Sequence, residues 1–324
     1  MKAFLLAAGR GERFQPVTRT LPKPLLPFLN VPLLAAHLER LRRAGVREAG
    51  VNLHHLGDQI ESRLREHPGE LPKLQFFWEP RILGTAGALR NARTFLEGDA
   101  FLVVNADTAI AFDPSALFER LRRSRAAATL LVVDNREPRR YTPLQPEGDA
   151  IARFGGIGPT PLLYTGVCVL SADVLGRIPP GEASLVKDLW EPLIADGRTI
   201  SWMRHDGAFG DLGRPSDFLR ATLEALAGAF PMPPGAGDFD AAARVLTQTP
   251  LGGFEISRSA LGRVRIGAGT RISESAVWSG VEIGPGARLS RCLAAGGVIP
   301  AGASHEEVLL WGRPGEDAAA IPLG

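Results

Sequence analysis

The sequence predicts an α/β protein whose first two-thirds forms a mostly parallel sheet flanked by helices, followed by a short C-terminal parallel β-helix. Two observations carry this expectation. From Met1 to Asp134, apolar strand-like runs alternate with segments of helical periodicity, the pattern of repeated βα units. Near the C-terminus, apolar residues mostly followed by Gly or Pro recur at Ile266, Ile272, Ile283, Leu289 and Ile299, at intervals of 6, 11, 6 and 10 residues. The larger unit therefore repeats every 16 to 17 residues. One inward aliphatic side chain per short strand, with glycine at the corner, is the hexapeptide pattern of a solenoid. A set of loosely spaced β-hairpins is the alternative. A solenoid would have open ends and an exposed edge, to be capped or buried against a partner.

The elements follow in order. Ala3 to Ala8 is an uninterrupted apolar run and reads as a buried strand. Pro32 to Ala44 places Leu34, Leu38 and Leu41 at helical spacing and stops at Gly45. Ala49–Leu53 is a strand, Gly57–Arg65 a helix, Leu74–Trp78 a strand, and a helix starts at Ala86 after Gly84-Thr85. Ala100–Val104 and Ala128–Val133 read as strands around a helix over Pro114–Arg123. Beyond Asp134 the alternation loosens, with strands at Leu162–Leu170 and Ile200–Met203 and helices at Val186–Ala195 and Pro215–Ala227. Gly228–Gly253 is rich in Pro and Gly and reads as a connection, with a short helix over Asp240–Leu246. The expected division is a first domain over 1–228, the connection over 229–253 and the coils over 254–324.

At 324 residues the chain is long enough for about two domains with ample core. Its net charge of +2 points neither to nucleic acid nor to an anionic membrane. No run of 18 apolar residues exists and no signal-peptide pattern precedes the first strand, so a cytoplasmic location is expected. Cys168 and Cys292 lie far apart in apolar surroundings and read as reduced core residues. Only four residues are lysine (Lys2, Lys23, Lys73, Lys187) against 33 arginines. A lysine that persists against such a bias suggests a need for a compact point charge. Lys23 and Lys187 fall in segments with functional signals, whereas Lys2 and Lys73 read as solvated surface.

The strongest signal follows the first strand. Leu5-Leu6-Ala7-Ala8-Gly9-Arg10-Gly11-Glu12-Arg13-Phe14-Gln15-Pro16-Val17-Thr18, then Leu21-Pro22-Lys23-Pro24, couples a strand end to two glycines, an arginine and a lysine. Glycines let backbone N–H groups approach an anion, and Arg13 and Lys23 place fixed positive charge beside them. Such a loop suits a polyphosphate. The dinucleotide fingerprint fails because Phe14 stands at its third glycine, and a Walker loop fails because no G-K-[ST] follows.

Almost position for position, this stretch resembles the L-A-A-G-x-G-T-R-x-x-P-x-T…P-K-P signature of sugar-1-phosphate nucleotidyltransferases (nucleotide-sugar pyrophosphorylases), with Glu12 replacing the usual Thr or Ser. The resemblance implies a Rossmann-like, mostly parallel nucleotidyltransferase sheet. It covers Met1 to about Ala227 by motif and Phe254 to about Leu310 by repeat type. Leu102-Val103-Val104-Asn105-Ala106-Asp107 matches the family strand ending in Gly-Asp, whose Asp holds the catalytic Mg²⁺. Asp211-Leu212-Gly213-Arg214-Pro215-Ser216-Asp217-Phe218 resembles the D-[IV]-G-[TR]-P-x-D-[YF] signature, whose first Asp is the second Mg²⁺ ligand. Asp217 reads instead as a helix N-terminal charge. Two carboxylates suit Mg²⁺, which keeps several waters and takes further oxygens from substrate phosphates.

Glu79-Pro80-Arg81-Ile82-Leu83-Gly84-Thr85-Ala86-Gly87 is similar to the E-x-P-L-G-T-A-G segment of mannose-1-phosphate guanylyltransferases, which pair such a catalytic domain with a C-terminal left-handed β-helix. Its small residues would let the base lie against backbone. Ser184-Leu185-Val186-Lys187-Asp188 resembles the S-I-E-K-[ED] segment of the same group. Tyr164-Thr165-Gly166 is closer to the aromatic-[ST]-Gly of N-acetylmuramate-1-phosphate uridylyltransferases. The lysine of the family E-K-P segment has no counterpart between Ile151 and Thr165.

The resemblance thus implies nucleotidyl transfer from a nucleoside triphosphate to a sugar 1-phosphate with Mg²⁺. Arg13, Lys23, Asp107 and Asp211 would be catalytic. Leu6, Ala8, Gly9, Gly11, Glu79, Gly84 and Thr85 would bind nucleotide, and Thr165, Gly166 and Lys187 the sugar phosphate. GTP with mannose 1-phosphate is the expected pair. UTP with N-acetylmuramate 1-phosphate or another hexose 1-phosphate is the alternative, and a catalytically silent regulatory subunit is a second. An acyltransferase is also weighed, since solenoids occur there, but roughly three coils offer one histidine, His305, expected outside the repeat. The coils are expected to make a homo-oligomer or steady the protein without entering the chemistry.

Overall fold

The computed structural model describes residues 1–156, 161–250 and 254–324. It divides into two compact units that do not follow chain order. The first comprises Met1–Arg10, His37–Thr108 and Phe112–Phe209; the second comprises Gly11–Ala36, Ala109–Ala111 and Gly210–Gly324.

The first unit holds a nine-stranded sheet among the described residues. Its strands are β1 (Lys2–Leu6), β2 (Glu48–Leu53), β3 (Lys73–Trp78), β4 (Phe101–Asn105), β5 (Ala128–Asp134), β6 (Leu144–Glu147), β7 (Ala150–Phe154), β8 (Leu162–Leu170) and β9 (Ile200–Arg204). They lie in the order β3-β2-β1-β4-β8-β5-β9-β7-β6. The expected parallel pairing holds for β3-β2-β1-β4 and for β5 with β9. Between those blocks β8 runs antiparallel to both β4 and β5. A strand buried on both faces reads as a plain apolar run, which carries no signal of direction. The hairpin β6–β7 had no counterpart in the sequence reading.

Helices α1 (Leu33–Arg43), α2 (Gly57–Arg65), α3 (Gly84–Asn91), α4 (Pro114–Ser124), α5 (Glu191–Ala195) and α6 (Pro215–Leu226) fall within a few residues of expectation. The segment expected as one helix over 186–195 is split, with a π-turn over Val186–Trp190 preceding α5. Pro192 lacks the N–H that a continuous α-helical ladder would use there. Helix α4 is capped by Asp113, whose carboxylate accepts from Ser115 N, with Pro114 at the first position.

The sheet and the elements packed on it bury large apolar side chains. Phe4, Val103, Leu130, Leu170 and Trp190 are fully buried, and Trp190 stacks on Phe154 at 5.7 Å. Cys168 is free and buried, and burial pushes its thiol up to about 12; Cys292 is likewise free and buried. Lys2 is not the solvated residue its position suggests. Its ammonium donates to Phe95 O at 2.7 Å and lies 5.3 Å from the Phe95 ring centroid, because the apolar stem packs while the charge finds a carbonyl.

In the second unit the 16- to 17-residue repeat is realised as stacked parallel rungs. Ile256, Ile272, Leu289 and His305 align in one ladder, Leu261, Val277, Ala294 and Leu310 in another, and Ile266, Ile283 and Ile299 in a third. His305 therefore sits within the repeat, in the row set by Leu289, and not outside it. Glycine is required at the corners because the next coil passes close. A Cβ on Gly267 would lie 2.3 Å from Pro285 N, and one on Gly284 2.5 Å from Ala301 N.

Both ends of one ladder are closed. Asp238–Asp240 pairs antiparallel with Val245–Thr247 at one end, and Ala319–Pro322 pairs antiparallel with Val308–Trp311 at the other. The helix expected over Asp240–Leu246 is absent for the same reason, since Val245–Thr247 supplies a parallel rung beside Ala260–Leu261. The Asp240 carboxylate accepts from Ala242 N and Ala243 N, turning the chain between these strands. Residues 251–253, the end of the expected connection, lie outside the described residues.

Candidate active site

The residues singled out by sequence are distributed over both units, and the chain crosses from the first to the second inside the glycine loop, between Arg10 and Gly11.

In the first unit, Leu6 ends β1 and its carbonyl accepts from Ala106 N at 3.1 Å, which fixes the backbone just before Asp107. Gly9 is exposed, has an ordinary φ, and nothing lies within 4 Å of where its Cβ would be. Among the described residues, no packing contact demands glycine at this position. Ala7 N donates to Asn52 Oδ1 at 2.7 Å, and Asn52 Nδ2 donates to Glu79 Oε1 at 2.7 Å. The other carboxylate oxygen of Glu79 accepts from Leu83 N at 2.9 Å. Burial raises the Glu79 pKa, with the Asn52 and Leu83 hydrogen bonds opposing it. Glu79 thus clamps the entry of the glycine loop to the 79–83 turn. Asn52 was missed in the sequence, although a polar residue inside the buried strand Glu48–Leu53 is a signal that could have found it.

The small residues Gly84 to Gly87 have a packing reason. Gly84 has a φ of +71°, and a Cβ there would lie 2.5 Å from Ala183 O; one on Gly87 would lie 2.5 Å from Gly181 O. Ala86 N and Gly87 N donate to Ala183 O, and Leu185 N donates to Thr85 Oγ1 at 2.9 Å. The Gly181–Leu185 segment lies against this turn. This contact brings Gly84 and Thr85 beside the segment that continues into Lys187, whose side chain is exposed. Asp188 holds that segment by accepting from Ser184 N at 2.7 Å.

Thr165 is buried, and its hydroxyl donates to Leu131 O at 2.9 Å. Gly166 has a φ of +83° at an irregularity in the β8–β5 register, and a Cβ there would lie 2.7 Å from Asn105 Nδ2. Only glycine fits between β8 and the strand end that carries Asp107.

Asp107 is half-buried and immediately precedes the strand Thr108–Ile110. Fully buried His37 lies beneath, with Nε2 2.7 Å from Thr108 O. Burial is the main cause lowering the His37 pKa to about 4; the Thr108 hydrogen bond and Asp107 oppose it, and Arg40 adds to it. The neutral ring therefore donates to Thr108 O and ties down the backbone beside Asp107. The unfolded chain protonates His37 near 6.5 and the folded chain only near 4. Stability is expected to fall as pH drops across that window, by up to about 3 kcal/mol, and to level off below it. Chemical denaturation at pH 7 and pH 4.5 checks this, with His37→Gln expected to show a shallower loss than the parent.

In the second unit, Gly11 adopts a left-handed φ of +64°, and a Cβ there would lie 2.8 Å from Thr18 Cγ2 and 3.1 Å from Lys23 Cβ. Thr18 Oγ1 donates to Gly11 O at 2.8 Å, and Phe14 N donates to the same carbonyl at 2.9 Å. The loop is thereby folded over Lys23, only 7% exposed at the start of a 3-10 turn. Arg13 is exposed, and its guanidinium lies against Gly213, with Nη2 2.7 Å from where a Cβ would stand. That contact joins the glycine loop to the Asp211–Phe218 motif. Asp211 is half-buried at the end of the strand Phe209–Asp211. Asp217 is buried in the first turn of α6 and accepts from Arg220 Nη2 at 2.8 Å, as a helix N-terminal charge would.

Among the described residues, no three or more His, Cys, Asp or Glu side chains form a metal cage. Asp107 and Asp211, the two carboxylates that the sequence offers as metal ligands, are each half-buried, one in each unit. Carboxylate oxygens are hard donors of the kind Mg²⁺ takes, alongside water and phosphate oxygens. No helix among the described residues is long and apolar enough to cross a membrane.

Comparison with known proteins identifies the family. A family model described as "Nucleotidyl transferase" matches residues 2–228. The chain is 29% identical over 301 residues to a mannose-1-phosphate guanylyltransferase of Mycobacterium tuberculosis, covering 89% of this chain and 83% of that protein. It is 34% identical over 239 residues to an N-acetylmuramate alpha-1-phosphate uridylyltransferase of Neisseria meningitidis serogroup B, covering 71% of this chain and all of that protein. The crystal structure of HddC from Yersinia pseudotuberculosis superposes with a TM-score of 0.60 at 24% identity, over 69% of this chain and 99% of that one, a likeness of fold. With a family model spanning well over half its length, the chain belongs to the nucleotidyl transferase family.

Proposed function

We propose that this chain transfers a nucleotidyl group from a nucleoside triphosphate to a sugar 1-phosphate, releasing pyrophosphate, with GTP and mannose 1-phosphate as its pair. The observation that carries the reading is the turn at Gly11, which packs over buried Lys23 and leads into Arg13, whose guanidinium lies against Gly213. The guanylyltransferase relative supports the choice of pair because its match extends through 89% of this chain, coils included.

In the proposed reaction an oxygen of the sugar 1-phosphate attacks the α-phosphorus, and the bond to the bridging oxygen of pyrophosphate breaks. The nucleophile is already anionic near neutral pH, so no general base is needed. The barrier is mainly charge repulsion and positioning, which cations and oriented N–H groups lower. Lys23 offsets charge at the α-phosphate, Arg13 with the Gly9–Gly11 backbone receives pyrophosphate, and Lys187 faces the sugar phosphate. Asp107 and Asp211 would hold Mg²⁺, which supplies charge neutralisation at the phosphates when bound. Leu6, Ala8 and the Glu79–Thr85 turn are assigned to the nucleotide, with Glu79 acting through its clamp. Thr165 would act through its backbone, because its hydroxyl is committed to Leu131 O.

Tyr164-Thr165-Gly166 and the 34% identical uridylyltransferase favour a second pair, UTP with N-acetylmuramate 1-phosphate. Self-association through the coils and a cytoplasmic location belong to the same reading. With one ladder capped at both ends, the edge strands Glu255–Ser257 and Ser304–Glu306 are left for such contact.

Pyrophosphate release measured with Mg²⁺ across nucleotide and sugar-phosphate pairs tests the assignment. GTP with mannose 1-phosphate is expected to give the highest kcat/KM. A higher value for the UTP pair would move the assignment to the second reading, and no release with any pair would make the chain a silent subunit.

A further inference from the structure

Phe14 is the third residue of the 3-10 turn Glu12–Phe14 and is fully buried. Its ring stacks on Trp278 at 6.3 Å with planes 14° apart and meets Phe218 of α6 edge-on at 5.8 Å. Phe218 and Trp278 close the triangle at 5.5 Å. Trp278 comes from the solenoid, directly after the rung Ala276–Val277, and its backbone N–H donates to Ala294 O at 2.8 Å. A second tie lies nearby in sequence to the loop. Asn30 Nδ2 donates to Ala236 O at 3.0 Å and to Leu261 O, in the coil ladder, at 2.9 Å. The glycine loop from Gly11 onward and the coils thus form parts of one compact unit.

We propose that Trp278 is a positioning residue for nucleotidyl transfer: the solenoid holds Phe14, and through Phe14 it sets the direction of Arg13. Arg13 and Phe14 are consecutive in one three-residue turn, so the direction of one side chain fixes that of the other. Phe14 points into a closed aromatic triangle, which leaves Arg13 on the outside of the turn, against Gly213. Trp278 touches no substrate in this scheme. The coils, expected from sequence to stay out of the chemistry, act on it through packing.

The inference rests on the role given above to Arg13 at the leaving pyrophosphate. It is tested in the full chain with Trp278→Ala, Trp278→Phe and Asn30→Gly; glycine suits the φ of 64° at position 30 while removing the side-chain bonds. Two readouts are taken, the KM values for nucleoside triphosphate and for sugar phosphate, and the affinity for inorganic pyrophosphate by calorimetry. Trp278→Ala is expected to weaken pyrophosphate and raise the triphosphate KM by about tenfold, the scale of a small misplacement of a positioned group. The sugar-phosphate KM is expected to stay within about twofold on the same ground. Trp278→Phe is expected to recover most of the loss, and Asn30→Gly to repeat it more weakly.

Unchanged pyrophosphate affinity in folded Trp278→Ala overturns the proposal, as does an equal rise in both KM values, which a general loosening would give. Should Trp278→Ala not fold, Asn30→Gly decides by the same criterion. A wild-type chain that binds no pyrophosphate also overturns it. A wild-type chain that binds pyrophosphate but turns over no pair defeats the reading of function alone, and the titration still decides the positioning role.

Discussion

Asp107→Ala and Asp211→Ala are each expected to lower pyrophosphate release by about a thousandfold or more while the chain stays folded. The two residues are both half-buried and each stands at a strand end. Among the described residues neither is part of a protein-only cage, so each would supply a large share of the protein's charge at the ion. Loss of one forfeits several kcal/mol of charge stabilisation in the transition state. The fold should tolerate the change, since neither side chain belongs to the buried core. Steady-state assays over a range of Mg²⁺ concentrations, with thermal unfolding as a control, check both points. Near-normal release by Asp211→Ala at low Mg²⁺ would remove that residue from the site.

Lys23→Ala is expected to depress turnover by about a hundredfold or more for every nucleotide, through lost electrostatic stabilisation at the α-phosphate. A residue that reads the base would instead change one nucleotide selectively, so parallel assays with GTP and UTP separate the roles. Lys23→Arg is expected to be poor as well. The stem of Lys23 is packed under Gly11, only 3.1 Å from the place of a Cβ there, and the residue is 7% exposed. A planar fork lacks the shape of the point charge it would replace. Equal activity in the arginine form would make Lys23 a rim charge.

Much of the fold was legible because it rests on periodicity. Helix α2 and strand β8 match the expected bounds, and the 16- to 17-residue coil repeat reappears as stacked rungs. What periodicity does not carry is direction and partner. The apolar residues of β8 on either side of Thr165-Gly166 read alike in either orientation, and Val245-Leu246, the end of the helix expected over Asp240–Leu246, is drawn into a rung by Ala260–Leu261. The same limit applies to the candidate site. Gly9 and Gly11 look equivalent in sequence, yet Gly11 is demanded by its φ and by Thr18, while Gly9 has only open space above it. Gly84 and Gly87 read as room for a base, and the chain itself fills part of that room with the Ala183 carbonyl. Thr165 matches a motif but spends its hydroxyl on Leu131 O, and Asn52 matched no motif although it links the glycine loop to Glu79.

The order in which the second unit is assembled from the chain bears on how the protein is made. Phe14 is synthesised 264 positions before Trp278, its stacking partner. At about 5–20 residues per second, translation separates the two by roughly 13–50 s. During that interval the first unit's central strands β1, β2 and β4 can already pair, while the loop that carries Arg13 and Lys23 waits with Phe14 and Phe28 uncovered. Nascent chains arrested before the coils are therefore expected to expose the loop to protease and to need chaperone cover there, and release of the last coils is expected to protect it. Arg13 and Lys23 would then reach their final place only after the coils are made.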